Sequence, residues 1–264
     1  MTAAALGSEV VVVGGYLADG SSSARVDAYR PATNGWRRLP DLPARVNHAM
    51  AASAGHRLYV IGGYGAERRA FVFTGGRWSE LRRLPAPRAA AGAAIVGRRL
   101  YVVGGVVAPG TLARRMLVLD LVTRRWSFAP GPIAREHLAV TSLRGRVYAL
   151  AGRENGVNFT YLQAYAPKTK RWTTLPPIPS ARGGTGVAAL RRRLISIGGE
   201  EPAGTIGSVY AYDVVARRWS RLPDLPTPRH GLGVVPFGAR VYAIAGGPRP
   251  GLSVSAANEF LTLG

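Results

Sequence analysis

The sequence predicts an all-β protein assembled from one four-stranded unit that is repeated along its 264 residues. Three markers carry this prediction, because they recur in the same order five or six times. They are a Gly pair after a short apolar strand, a Trp further along the chain, and a Pro-rich turn that ends in Arg. A repeat period in the 40s is typical of an array of one supersecondary unit.

The Gly pair closes a short apolar run in each copy. The runs are VVVVGG (10–15), YVIGG (59–63), YVVGG (101–105), YALAGR (148–153), ISIGG (195–199) and YAIAGG (242–247). Their first glycines lie 42 to 48 residues apart, at positions 14, 62, 104, 152, 198 and 246. In the fourth copy this alignment puts Arg153 where the second Gly is expected.

The tryptophans form the second marker, and they usually follow another aromatic residue by seven positions, as in YRPATNGW and YDVVARRW. All five lie in the repeats, at Trp36, Trp78, Trp126, Trp172 and Trp219. The Pro-rich turns that follow them end in Arg45, Arg88, Arg135, Arg182 and Arg229. Because Trp and Tyr are large apolar plates, we expect them to pack between units rather than to form a site.

Each unit divides into four short strands that turn residues or charges separate. In the fifth copy these are GVAAL (186–190), RLISIG (193–198), SVYAYD (208–213) and RRWSRL (217–222). The first inner strand is expected at 2–6. The Ala-rich stretch 89–96 has a helical composition, but its position in the repeat predicts a strand. The sixth copy contains segments 230–237, 240–245 and 253–263 with no Trp strand after them. We expect this chain to lack the outer strand of blade 6, either because the blade has none or because the chain start that would supply it is truncated.

The double Gly, the run before the Trp and the spaced tryptophans resemble the kelch family, including bacterial kelch-repeat proteins and the central domain of galactose oxidases. The resemblance covers nearly the whole chain. It implies a six-bladed β-propeller with four-stranded antiparallel blades around a central channel. Residues 1–264 would form one domain, with approximate blades at 1–40, 41–82, 83–129, 130–175, 176–222 and 223–264.

The resemblance also implies two faces with different roles. The upper face carries the loops after the Gly pair and after the Pro-rich turn, and ligands of this family usually bind there, around the channel mouth. The lower face carries the remaining hairpins. Loops on a rigid scaffold are also a common place for binding residues in general.

Two upper-face positions recur in the repeats. The residues directly after the Gly pair are Tyr16, Tyr64, Val106, Glu154, Glu200 and Pro248, and those near the start of the inner strand are Asn47, Ala89, His137, Gly183 and His230. Blades 4 and 5 form the most polar sector. The candidate ligand-binding residues are Asn47, Tyr64, Glu136, His137, Arg153, Glu154, Arg182, Glu200 and His230.

Three functions compete for these residues. The first is an interaction module that binds a protein or a glycan through its upper loops. The second is a small-molecule enzyme that resembles the sialic-acid mutarotases, in which Glu154 or Glu200 would serve as acid or base, Arg153 would hold a substrate carboxylate, and His137 would assist. Solvated loops with surface salt bridges are the plain structural explanation of the same residues. We expect no catalytic reaction and a monomer.

The third function rests on charge. The chain has 35 Lys and Arg residues against 14 Asp and Glu residues, a formal net charge of +21. Nineteen of these cations map to lower-face hairpins, where Glu9 is the only obvious acid. Such a face could bind an acidic protein, a polyanion or an anionic membrane surface. The alternative is an Arg-rich composition on exposed turns. Sequence-specific nucleic-acid binding is not expected.

Several classes of site are excluded. The chain has no Cys, so disulfides, thiolate zinc sites and the cross-linked copper site of the galactose oxidases are excluded. The histidines are scattered in the sequence, and we expect neither a metal nor a cofactor. No apolar run is long enough to span a membrane. Residues 1–9 do not read as a signal peptide, so the sequence as it stands predicts a cytoplasmic protein, unless a longer N-terminus with a signal has been lost.

Overall fold

Six antiparallel sheets surround one channel in the computed structural model, which describes residues 1–263. The first five sheets have four strands and the sixth has three, which confirms the six-bladed propeller and the short last blade. Residues 1–263 contain no helix of the length and apolarity needed to cross a membrane.

The strands follow the repeats closely. The blades comprise, in order, β1 (Thr2–Leu6), β2 (Glu9–Val13), β3 (Val26–Arg30) and β4 (Gly35–Arg38); β5 (Met50–Ala54), β6 (Arg57–Ile61), β7 (Ala70–Thr74) and β8 (Arg77–Glu80); β9 (Gly92–Val96), β10 (Arg99–Val103), β13 (Arg115–Asp120) and β14 (Trp126–Pro130); β15 (Ala139–Leu143), β16 (Arg146–Leu150), β19 (Leu162–Ala166) and β20 (Arg171–Leu175); β21 (Gly186–Leu190), β22 (Arg193–Ile197), β25 (Val209–Asp213) and β26 (Arg218–Leu222); and β27 (Gly233–Phe237), β28 (Arg240–Ile244) and β29 (Asn258–Thr262). The Ala-rich stretch forms β9, as its repeat position predicts.

Three small hairpins on the upper face are additional to this pattern. They are β11 (Val106–Ala108) with β12 (Thr111–Leu112), β17 (Arg153–Glu154) with β18 (Val157–Asn158), and β23 (Glu200–Glu201) with β24 (Gly204–Thr205). Each projects from the loop between the second and third strands of its blade. The four-strand repeat does not predict these hairpins.

The ring closes through the inner strands. Each inner strand contacts that of the next blade, and β27 of the last blade contacts β1 of the first. Small residues allow this approach: a Cβ on Gly186 would lie 2.1 Å from a methyl carbon of Val234, and one on Gly233 would lie 2.6 Å from the Cβ of Ala3. At the closure, Val10 and Tyr29 of blade 1 pack with Val235, Tyr242 and Ile244 of blade 6. Within residues 1–263, the ring is therefore closed by inner-strand and core contacts, with three strands in blade 6.

The tryptophans fasten each blade to the one before it. In blade 3, for example, the indole N–H of Trp126 donates to the backbone carbonyl of Arg82 at 2.8 Å, and Arg82 lies in the Pro-rich turn of the preceding blade. Trp78, Trp172 and Trp219 make the equivalent bond. Trp36 is 48% exposed, because the turn that would receive it belongs after a fourth strand that blade 6 lacks among residues 1–263.

Four of the five arginines that end the Pro-rich turns are internal braces, whereas Arg45 is exposed. Arg135 is fully buried, and its guanidinium donates to the carbonyls of Ala151, Ile133 and Ala149 and to the Gln163 side chain at 2.6–3.1 Å. Arg88, Arg182 and Arg229 are buried in the same way. Arg229 donates to the carbonyls of Ala243 and Ala245 at the second strand of its blade, whereas Arg88 donates to the Arg115 carbonyl at the start of the third strand. These four turns are therefore tied to strands of their own blades, since buried N–H donors need partners.

Candidate functional site

A circle of isolated β-bridges sets the register of the upper-face loops. The bridged pairs are Asn47–Tyr64, Ala89–Val106, Glu136–Arg153, Gly183–Glu200 and His230–Gly247. Equivalent positions after the second strand are therefore Tyr64, Val106, Arg153, Glu200 and Gly247. This register corrects two parts of the sequence alignment.

The first correction concerns blade 4. Its pair of residues with positive φ is Ala151 (53°) and Gly152 (97°), so Ala takes the place of the first Gly and Arg153 is not a substitute for the second. Arg153, and not Glu154, is thus the counterpart of Glu200. The prediction that Glu154 and Glu200 occupy equivalent positions in adjacent blades is therefore wrong. The same shift occurs in blade 6, where Ala245 precedes Gly246 and makes Gly247, not Pro248, the equivalent residue.

The second correction concerns the histidines. His137 does not share a register with His230, because Glu136 occupies that position. The counterpart of His137 is His48, and both adopt left-handed backbone near φ 50°. At this level the backbone forms a chain of hydrogen bonds around the channel, each N–H donating to the carbonyl of the preceding blade. The donors are Ala90, His137, Gly184 and Gly231, at 2.8–3.1 Å.

A cavity of about 440 Å³ opens above this chain of bonds, at the mouth of the channel. This volume lies in the range of small-molecule and peptide pockets. Blades 1, 2, 4, 5 and 6 all contribute to its lining. The polar and aromatic side chains in the lining are Tyr16, Asn47, His48, Tyr64, His137, Arg153, Glu200, His230, Ser253 and Ser255.

One side of the cavity is a charged bridge between blades 4 and 5. Arg153 Nη1 donates to Glu200 Oε1 at 2.6 Å, and its Nε donates to Glu136 Oε1 at 3.3 Å. Glu200 is only 6% exposed, and its second oxygen accepts the Gly251 N–H at 3.1 Å. Glu200 Oε2 also lies 3.5 Å from His230 Nδ1. The guanidinium is therefore matched by two carboxylates, and the bridge as a whole is not strongly positive.

Both carboxylates of the bridge are held in the ionised form. The neighbouring His137 imidazole, 3.4 Å away, and the Arg153 charge lower the pKa of Glu136 below its ordinary value. Burial by itself raises the pKa of Glu200, but the Gly251 N–H, His230 and Arg153 outweigh burial, and the net pKa is lowered. Neither group has the raised pKa that suits a general acid near neutral pH.

The opposite side of the cavity is aromatic. The His48 ring stacks edge-on with Tyr16, Tyr64 and His137 at centroid distances of 5.7, 5.5 and 4.8 Å. Asn47 orients it, since the Asn47 side-chain oxygen lies 2.6 Å from His48 Nδ1. Burial, with His137 nearby, lowers the pKa of His48 to about 3, so this imidazole is neutral near pH 7. Three histidines thus gather at the channel mouth although they are far apart in the sequence.

Three of the predicted site residues are not part of the cavity lining, and one of them, Glu136, contacts the lining residue Arg153. Glu154 is exposed on the β17–β18 hairpin and is not part of the cavity lining. Arg182 is fully buried, and its guanidinium donates to Ser180, Gly198 and Ser208 as a brace between turn and strands. Tyr16, His48, Ser253 and Ser255 also line the cavity, although none of them is among the predicted site residues. Within residues 1–263, no group of three or more His, Asp or Glu residues is arranged to hold a metal ion.

The lower face carries the hairpins and their cations as the repeats predict, but it has more acids than expected. Asp120 and Asp213 join Glu9 there, because each ends a third strand just before its hairpin. Both carboxylates accept backbone N–H groups of that turn at 2.9 Å, and Asp213 also pairs with Arg192. Glu9 receives Arg30 and Arg37. The face remains strongly positive.

Comparison with known proteins agrees with the fold. The family model described as the KLHDC2/KLHL20/DRC7 kelch-repeats domain matches residues 1–178 and 73–247. An F-box/kelch-repeat protein of Arabidopsis thaliana is 37% identical over 62 residues, which is 24% of this chain and 16% of that protein. The match therefore spans a small part of the plant protein. Because the family model covers most of the chain, the chain belongs to the kelch-repeat family, whose propellers are typically protein-interaction modules.

Proposed function

We propose that this protein is a binding module whose channel-mouth cavity receives a segment of a protein partner. The observation that carries the proposal is the convergence of side chains from five blades on one cavity of about 440 Å³. The propeller brings loops of these blades together at the channel mouth, so one ligand can contact residues that are far apart in the sequence. A rigid ring of strands that presents variable loops is also a suitable scaffold for recognition.

The chemistry of the lining favours a peptide over a strongly charged ligand. The aromatic side around His48 offers apolar ring surface, whereas the Arg153–Glu200 side offers both donors and acceptors. Since Arg153 is already matched by two carboxylates, the cavity does not select for an anion. Peptide amides, which carry a donor and an acceptor side by side, fit such a lining. A glycan has similar polar groups and is the alternative ligand.

The proposal is tested by selecting binders from a random 12-residue peptide library displayed on phage. The affinities of the selected peptides are then measured for the wild-type protein and for the Tyr16→Ala/His230→Ala variant, which alters two walls of the cavity. We expect at least a tenfold loss of affinity, about 1.4 kcal/mol. The Arg124→Ala/Arg125→Ala variant on the lower face is the control and should retain full affinity.

Peptides that bind the cavity variant as tightly as the wild type would refute the proposal. A glycan array screened with the same proteins separates the two ligand classes. Binding to a sugar, lost in the cavity variant, together with no selected peptide, would replace the peptide by the glycan alternative.

The small-molecule enzyme receives less support. Glu154 lies outside the cavity lining, and Arg153 already holds two carboxylates, so it is not free to take a substrate carboxylate in the way the mutarotase resemblance implies. Glu200 has a lowered pKa, which suits a structural anion better than a general acid.

The lower face supports a second candidate function, binding of an anionic partner. Glu9, Asp120 and Asp213 are its acids among residues 1–263, and each is already engaged by hairpin arginines or turn amides. Retention on heparin that falls steeply with salt, and that weakens in an Arg124→Glu/Arg125→Glu variant, would support this function. Retention that the variant leaves unchanged would argue against it.

A further inference from the structure

A second cavity, of about 570 Å³, lies on the upper face outside the channel mouth. It is bounded by the loop after β6 of blade 2 and by the β11–β12 hairpin of blade 3. Its apolar walls are formed by Ala66, Pro87, Ala89, Val106, Val107, Ala108 and Pro109. The cavity is therefore large enough for an aliphatic side chain and apolar enough to favour one.

Positive charge surrounds this apolar space. Arg68, Arg69 and Arg83 are part of the lining, against one acid, Glu67. Arg69 forms an ion pair with Glu80, to which its Nε and Nη2 donate at 3.0 and 2.8 Å. Glu67 lies close to the backbone, with Oε1 accepting the Gly65 N–H at 3.1 Å.

The two remaining arginines are available to a ligand. Among residues 1–263, neither Arg68 nor Arg83 takes part in an ion pair within 4 Å, although the Arg83 charge acts on the nearby Glu80. Arg68 Nη1 makes a long bond of 3.3 Å to the carbonyl of Pro85, and both side chains are exposed. Cations beside an apolar cavity complement a ligand that carries an aliphatic group and a carboxylate together.

We propose that this cavity binds an aliphatic side chain of an extended peptide, while Arg68 and Arg83 bind a carboxylate two residues further along. Side chains two positions apart lie on the same side of an extended chain, so both reach the protein surface. The proposal deepens the proposed function and rests on it for the source of the peptide, a protein partner on the upper face. Tyr64 lines both cavities, so a segment that crosses Tyr64 enters both.

The test uses a blocked peptide, acetyl-Ser-Leu-Ser-Asp-Ser-amide, and two relatives in which Asn replaces the Asp or Ala replaces the Leu. Binding is followed by methyl NMR of Val106 and Val107, whose signals are assigned by their loss in Val106→Ala and Val107→Ala. We expect both valines to shift on titration with the Asp peptide. The Asn and Ala peptides should each bind about tenfold more weakly or worse.

Variants separate this subsite from the channel mouth. Arg68→Ala/Arg83→Ala should weaken the Asp peptide about tenfold and the Asn peptide far less, whereas Tyr16→Ala and the lower-face Arg124→Ala/Arg125→Ala pair should change neither. Valine signals that stay unmoved up to the solubility limit, or equal affinities for the Asp and Asn peptides, would overturn the subsite. Because this assay reads a cavity that Tyr16 does not line, it succeeds or fails independently of the channel-mouth experiment.

Discussion

Arg153 Nη1 lies 2.6 Å from Glu200 Oε1 and joins blade 4 to blade 5 across the channel mouth. Glu200 is almost completely buried, so Arg153→Met leaves a buried carboxylate without its guanidinium. We expect a loss of about 3 kcal/mol in the free energy of unfolding at pH 7, measured with urea. Arg192→Met is the control, since Arg192 is 62% exposed in its pair with Asp213 and should cost less than about 1 kcal/mol. Equal losses in the two variants would contradict the bracing role.

Because His48 is buried as a neutral imidazole, the protein should lose stability in mild acid. Burial holds its pKa near 3, below the ordinary 6.5, so between these values the unfolded chain binds a proton that the native protein does not. The free energy of unfolding must therefore fall as pH drops below 6.5, by at most about 2 kcal/mol at pH 5 from this residue. Urea unfolding at pH 7 and pH 5 should show a smaller difference in His48→Gln than in the wild type. The same difference in both proteins would mean that His48 is not buried as a neutral group.

The tryptophans should differ in their contribution to stability. Trp126 packs against the core of blades 2 and 3 and donates to the preceding blade, so Trp126→Ala should cost about 3 kcal/mol in the free energy of unfolding. Trp36 is half exposed and retains mainly its contact with Tyr29, so Trp36→Ala should cost about 1 kcal/mol. Urea denaturation of the two variants compares them directly. A loss at Trp36 as large as that at Trp126 would show that the open side of blade 6 is covered in solution.

Substitutions of Arg182 and Glu154 test whether these two predicted site residues have a structural role or contact the ligand. Arg182→Ala removes a buried guanidinium whose pKa burial lowers to about 10, and it leaves the Gly198 and Ser208 carbonyls without their donor. We expect a loss of about 3 kcal/mol in unfolding free energy, with the affinity of the folded protein for selected peptides unchanged. Glu154→Gln, on an exposed hairpin, should change stability by less than about 0.5 kcal/mol. A peptide affinity that depends on Arg182 in a stably folded variant would restore it as a ligand residue.

The repeats predict the strands because each marker has a structural cause. In four repeats the Trp N–H donates to the turn of the preceding blade, and the four buried arginines that end the turns donate to carbonyls of their own blade. Even the Ala-rich β9 follows the register of its neighbours against its own helical preference. One of the three short hairpins also has a sequence signal: Asn155–Gly156, both with positive φ, is a dipeptide typical of two-residue hairpin turns.

The register of the channel-mouth residues in blades 4 and 6 is harder to predict from the sequence than the strands are. Ala151 and Ala245 take a left-handed backbone that costs an L-residue roughly 1–2 kcal/mol, and only the surrounding packing selects it. An alignment on Gly alone therefore shifts by one residue, and it nominates Glu154 in place of Arg153 as the partner position of Glu200. The contact between the His48 and His137 rings depends on the closure of the whole ring of blades. The separation of the two residues in the sequence does not predict it.

Hydrogen–deuterium exchange of the free protein and of its complex with a selected peptide tests the central claim most directly. If the channel mouth is the binding site, the peptide should slow amide exchange in segments 14–23, 45–48, 62–65 and 247–255, which surround the cavity. The lower-face hairpins at 121–125 and 214–218 should exchange at unchanged rates. Protection confined to those hairpins, with none around the channel mouth, would contradict the account.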